Sequence, residues 1–103
     1  MTEKRKPHYD LAAIKAQFAK PEGYRITVTA QDFAFGVLGL DREGVVALVG
    51  GVKRSHFVKS MTSFGDHRIW HDVYHLPFED MVLYVKFTKD KDGFYLLISL
   101  KDR

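Results

Sequence analysis

The stretch KSMTSFGDHRIWHDVYH, residues 59–75, carries three of the five histidines and the single tryptophan of a chain without cysteine. His67, His71 and His75 recur at every fourth position. Imidazole is the side chain best suited to moving protons near neutral pH and is also the commonest metal ligand. A zinc ion needs its ligands within about 2.1 Å, so histidines at this spacing could share one ion only from a helix. Ile69, Trp70, Val73 and Tyr74 instead give the segment the alternation of a strand, on which four residues cover about 13 Å. The reading is therefore one without a shared metal, and no cofactor is called for. His67 falls in a turn, where a hydrogen bond to local backbone is the ordinary expectation. His75 reads equally as a solvated strand end or a functional group. His71, in mid-strand, is the candidate for proton transfer, its ordinary alternative being a strand histidine with a satisfied hydrogen bond.

Elements must position these groups, and the first half of the chain reads helical. Asp10 caps a helix with Leu11, Ile14 and Phe18 at helical spacing, and Pro21 stops it. YRITV, residues 24–28, predicts a short strand. Thr29 and Asp32 resemble a capping box opening a second helix that carries Phe33 and Val37 and ends at Gly39. Asp41 opens a third segment, REGVVALV, closed by Gly50 and Gly51; its valines also allow a strand.

The second half reads as strands. HFVKSMTS (56–63) and RIWHDVYHL (68–76) are rich in β-branched and aromatic residues, as are MVLYVKFT (81–88) and FYLLISLK (94–101). Helices followed by an antiparallel meander predict an α+β fold, with the helices packed on one face of the sheet. The other face is then partly open, and function is sought there. A two-residue Asp92-Gly93 turn would set Val85 opposite Leu100, Phe87 opposite Ile98 and Tyr84 opposite Lys101. The Tyr84 phenol and Lys101 ammonium would then start about 5 Å apart at Cβ on the open face. For Lys59 and His71 to share that face, the connection between their strands must hold an odd number of residues or include a bulge. Trp70, Asp72 and Tyr74 fall on the opposite, packed face, where the Asp72 carboxylate needs a buried partner.

At 103 residues the chain is expected to form one domain, residues 1–103, with a single core. Apolar residues make up 46% and charged residues 28%, as in ordinary globular proteins. The absence of cysteine excludes a disulfide framework and fits a reducing cytoplasm. No apolar run approaches the roughly 20 residues of a membrane span, so no membrane partner is expected. The net charge of +3 and a pI near 9.2 favour polyanionic partners mildly. The basic excess is spread along both halves rather than held in a tail.

In order along the chain, EKRKPHYDL, LGLDREGVVALV, FVKSMTSFGDHRIWHDVYH and LYVKFT…LLISLKD resemble the motility quorum-sensing regulator family of toxins, the MqsR family. FVKSMT, DH and W-x-DVY are the specific matches; His71 stands where the family usually has glutamine. The resemblance implies a RelE-like α+β fold and an mRNA interferase, a ribonuclease toxin of a toxin–antitoxin pair. It implies messenger RNA as substrate, cut at GC-containing sites such as GCU, a cognate antitoxin protein as partner, and the ribosome as a further candidate partner. Its catalytic positions fall on Lys59, His71, Tyr84 and Lys101.

Such chemistry suits these side chains. RNA brings its own nucleophile, the 2′-hydroxyl, so the enzyme must take one proton, return another and stabilise charge on phosphorus. Lys59 and Lys101 suit the last task, His71 the proton transfer, and Tyr84 a hydrogen bond, or proton transfer if flanking lysines lower its pKa. Lys86 and Tyr95, assigned to the open face, would hold RNA phosphate and stack on a base. Each has an ordinary alternative as a solvated or half-buried strand residue. The competing functional readings are an RNA- or ribosome-binding regulator that does not cut, and a protein-interaction domain.

Overall fold

A computed structural model describes residues 2–103. A short strand β1 (Glu3–Lys4) precedes three helices, α1 (Leu11–Phe18), α2 (Val28–Asp32) and α3 (Arg42–Gly50). Four longer strands follow, β2 (Phe57–Thr62), β3 (Trp70–Phe78), β4 (Met81–Lys89) and β5 (Tyr95–Asp102). The expected α+β architecture is present, as a five-stranded antiparallel sheet in the order β1-β2-β3-β4-β5. Sequence reading missed β1, whose two residues are too few to show a period.

The caps at α1 and α3 are those the sequence predicts. The Asp10 and Asp41 carboxylates accept from the backbone N–H of Ala12 and Gly44, satisfying donors that a first helical turn leaves free. At α2 the cap is Thr27, not Thr29, and its hydroxyl oxygen accepts from Ala30 N–H. That early cap removes most of the expected strand 24–28. Only Ile26 bridges to Leu97, because Thr27 already turns the chain into the helix. Phe33–Val37 continues α2 as a wider π turn, in which Leu38 N–H reaches Phe33 carbonyl. Gly39 then ends the segment at a φ of +68°, open to glycine at little cost.

The helices cover one face of the sheet. Ile14, Phe18, Ala30, Ala34, Val45 and Val49 bury against Tyr74, Leu83, Val85, Phe87, Leu97 and Leu100. Removing this apolar area from water, at about 25 cal/mol per Å², is what holds the two layers together. Among the described residues, the opposite face carries no helix.

Three connections set the register of that open face. Five residues, Phe64 to Arg68, separate the hydrogen-bonded Ser63 and Ile69, an odd number that places Lys59 and His71 on one face as expected. Between β3 and β4 the chain turns through Glu79 and Asp80, with Glu79 at a φ of +54°, and sets His75 opposite Tyr84 and Val73 opposite Lys86. Between β4 and β5 the expected two-residue turn is replaced. Asp90 pairs with Phe94 through Asp90 N–H, and its carboxylate accepts from Asp92 N–H and Phe94 N–H. These bonds stabilise a loop of Lys91, Asp92 and Gly93, with Gly93 at a φ of +88°. Phe87 consequently faces Leu97 rather than Ile98, and a bulge at Ile98 restores the pairing of Lys86 with Ser99 and of Tyr84 with Lys101.

Candidate active site

Each of the four longer strands contributes a charged or proton-bearing side chain to the open face. Val73, fully buried although it lies on the face without helices, is the floor. Lys59 on β2 and Lys86 on β4 are its direct neighbours on either side. Along β3, His71 and His75 lie two residues before and after Val73, on the same face. His71 is opposite Met61, and His75 is opposite Tyr84, which in turn is opposite Lys101.

Tyr84 is where the cations gather. The Lys101 ammonium stands 4.9 Å from the centre of its ring and the Lys86 ammonium 5.8 Å. The His75 ring lies 6.1 Å away, centre to centre. Burial raises the Tyr84 pKa, more than the Lys59 charge lowers it. The phenol therefore keeps its proton at neutral pH and is available as a hydrogen-bond donor. The alternative in which lysines lower its pKa for proton transfer is not met, because desolvation outweighs the cation.

The other shifts run the opposite way, as burial and like charge dictate for cationic acids. Lys86 is lowered by burial and then by Lys101 and Lys59. His71 is lowered by burial and by Lys86, with Asp72 opposing. Both burial and the Lys86 charge thus favour its neutral form, which can accept a proton.

Lys59, His71, Tyr84, Lys86 and Lys101 are thus brought to one face. Tyr95 is not. The bulge at Ile98 reverses the facing of the residues before it, so Tyr95 lies on the helix side with Leu97. Its ring meets Tyr9 edge-on at 5.8 Å, and its backbone N–H and carbonyl bond the Gln17 side-chain amide. His67 stays in the β2–β3 turn, where Asp66 and Arg68 make the local bonds. His75, left undecided by the sequence, joins the site; its shared parity with His71 was the available signal.

Buried Asp72 finds its partners in backbone and hydroxyl donors. Its carboxylate accepts from the backbone N–H of His8 at 3.1 Å and of Tyr9 at 2.9 Å, and from the Ser60 hydroxyl at 2.6 Å. His8 stacks on Trp70 at 5.1 Å, and Tyr9 donates its hydroxyl proton to Trp70 carbonyl. The N-terminal segment is thereby fastened across β3 on the helix side, which explains the packing role of Trp70.

The architecture and the site define an α+β protein that presents a cationic, hydrogen-bonding sheet face carrying the His71 and His75 imidazoles. Residues 6–102 match the family described as motility quorum-sensing regulator, toxin of MqsA, and the chain belongs to that family. It is also similar to the mRNA interferase toxin MqsR of Escherichia coli strain K12, 37% identical over 101 residues, which cover 98% of this chain and 99% of that protein.

Proposed function

We propose that the protein is a sequence-selective endoribonuclease, the mRNA interferase toxin of a toxin–antitoxin pair, acting in the cytoplasm as a single catalytic domain. The observation that carries this reading is the convergence of Lys59, Lys86 and Lys101 on one open face with Tyr84 and His71 beside them. A binding-only module needs the cations but not a proton acceptor on the same face beside them. Family membership supports the same reading, as does the name of the Escherichia coli relative.

In this mechanism a scissile phosphate lies over Val73, held by Lys59 and Lys86. His71 takes the proton of the 2′-hydroxyl, whose oxygen bonds to phosphorus. Lys59 and Lys101 stabilise the charge growing on the phosphoryl oxygens, and the Tyr84 hydroxyl donates a hydrogen bond to one of them. Lys86, made more acidic by burial and by its lysine neighbours, protonates the 5′-oxygen as the P–O bond to it breaks. The products are a 2′,3′-cyclic phosphate and a free 5′-hydroxyl. GC-containing triplets such as GCU are the proposed cleavage sites, and an antitoxin protein is the proposed partner.

Incubating the purified protein with a defined RNA tests this. Cleavage at a fixed set of GC-containing sites is expected, unchanged by EDTA, with cyclic-phosphate ends. Retention of RNA without cutting, or EDTA-sensitive cutting that leaves 5′-phosphates, would refute the mechanism.

A further inference from the structure

The proposed site contains one acidic group that sequence reading did not place there. Glu3 on β1 is paired with Met61, which is paired with His71, so its side chain belongs to the open face. Its carboxylate oxygen lies 3.1 Å from the Lys59 ammonium, an ion pair at the edge of the cationic surface. We propose that Glu3 is a positioning residue of the ribonuclease site: it pins the Lys59 ammonium in place, weakening capture of RNA but readying that charge for the transition state. The inference rests on the ribonuclease reading.

Three observations carry it. First, β1 is delivered to its place by a built latch rather than by its own two residues. Asp72 anchors His8 and Tyr9, Lys4 sits over the Trp70 ring at 4.2 Å, and Thr2 exchanges backbone and side-chain bonds with Thr62. Second, the same buried Asp72 accepts from Ser60, the residue adjoining Lys59, so both ends of the ion pair are tied to one carboxylate. Third, a lysine stem has four rotatable bonds, and an unpinned ammonium at a sheet edge would lose most of its value for a developing charge.

The two halves of the effect follow from electrostatics. A carboxylate beside a phosphate-binding lysine repels the substrate phosphate, so it opposes ground-state binding. The same carboxylate holds the ammonium where charge appears later, which helps only the transition state. The Glu3 side chain is 49% exposed, and β1 is bonded through its backbone, so substitution at this position leaves the fold intact.

The test compares wild type, Glu3→Gln, Glu3→Asp and Lys59→Ala in cleavage of one short RNA, with binding of its uncleavable 2′-O-methyl form. For Glu3→Gln we expect KM to fall at least about threefold and kcat to fall about tenfold, a split that simple loss of structure does not produce. Glu3→Asp, which keeps the charge on a shorter arm, should lie between. Tighter binding of the 2′-O-methyl RNA by Glu3→Gln should vanish when Lys59→Ala is also present, because the carboxylate acts through that lysine. Unchanged constants in Glu3→Gln, a raised KM, or the same tightening without Lys59 would each overturn the inference. If the wild type cuts RNA, those results leave the ribonuclease reading standing; if it does not cut, that reading fails first.

Discussion

Tyr84 and Lys101 face each other across β4 and β5, with the ammonium 4.9 Å from the ring centre, in a register where two departures from regular geometry cancel. The β4–β5 turn holds one residue more than a two-residue hairpin, and the bulge at Ile98 takes up the difference. If this pair serves the transition state as proposed, Tyr84→Phe removes one hydrogen-bond donor while keeping the ring. It should lower kcat about 10²-fold with little change in KM, and Lys101→Met should do at least as much. Steady-state cleavage kinetics decide this.

His71 is expected to act as the base in its neutral form. His71→Ala should slow cleavage about 10²–10⁴-fold, and His71→Gln nearly as much, since an amide carries no titratable proton. The wild-type rate should fall as pH drops through the lowered His71 pKa. Single-turnover cleavage from about pH 5.5 to 8.5 reads both, and a fully active His71→Gln would show that the position only orients the reacting groups.

The titration of His71 can be followed directly by NMR. Its midpoint is expected below 6.5, and Lys86→Met should raise it, because burial and then the Lys86 charge disfavour the imidazolium. A histidine depressed in the folded state binds its proton more readily when unfolded, so its contribution is present above pH 6.5 and lost as pH falls through the folded value.

Lys86→Arg separates charge from proton donation. Arginine keeps the cation over the phosphate but holds its proton too tightly to protonate a leaving oxygen. RNA binding should stay within about threefold, while the cleavage step slows about 10²-fold or more. Equal rates for the two proteins would remove Lys86 from the role of acid.

Asp72→Ala tests the N-terminal latch. It leaves two backbone N–H groups and the Ser60 hydroxyl without their shared acceptor in a fully buried position. Urea unfolding should show a loss of about 3 kcal/mol. A loss under about 1 kcal/mol would show that the segment is held by its aromatic contacts instead.

By itself the sequence determined the layers of this protein and most of the side chains that share its open face. Asp10 and Asp41 mark helix starts because a short carboxylate meets the free donors of a first turn, a purely local interaction. The alternation along residues 69–76 and 81–88 assigns His71, Tyr84 and Lys86 to the face away from the core, because a strand has a period of two and Tyr74, Val85 and Phe87 must be buried. Only the tertiary structure decided the rest. Tyr95 changed faces because Asp90 widened a turn and Ile98 bulged, and a single inserted residue reverses every side chain up to the next irregularity. Asp72 found its donors in backbone groups more than sixty residues away, and Glu3 reached Lys59 from the neighbouring strand β1, more than fifty residues earlier in the chain. No pattern in the chain announces such contacts, since they arise only when distant segments are folded against each other.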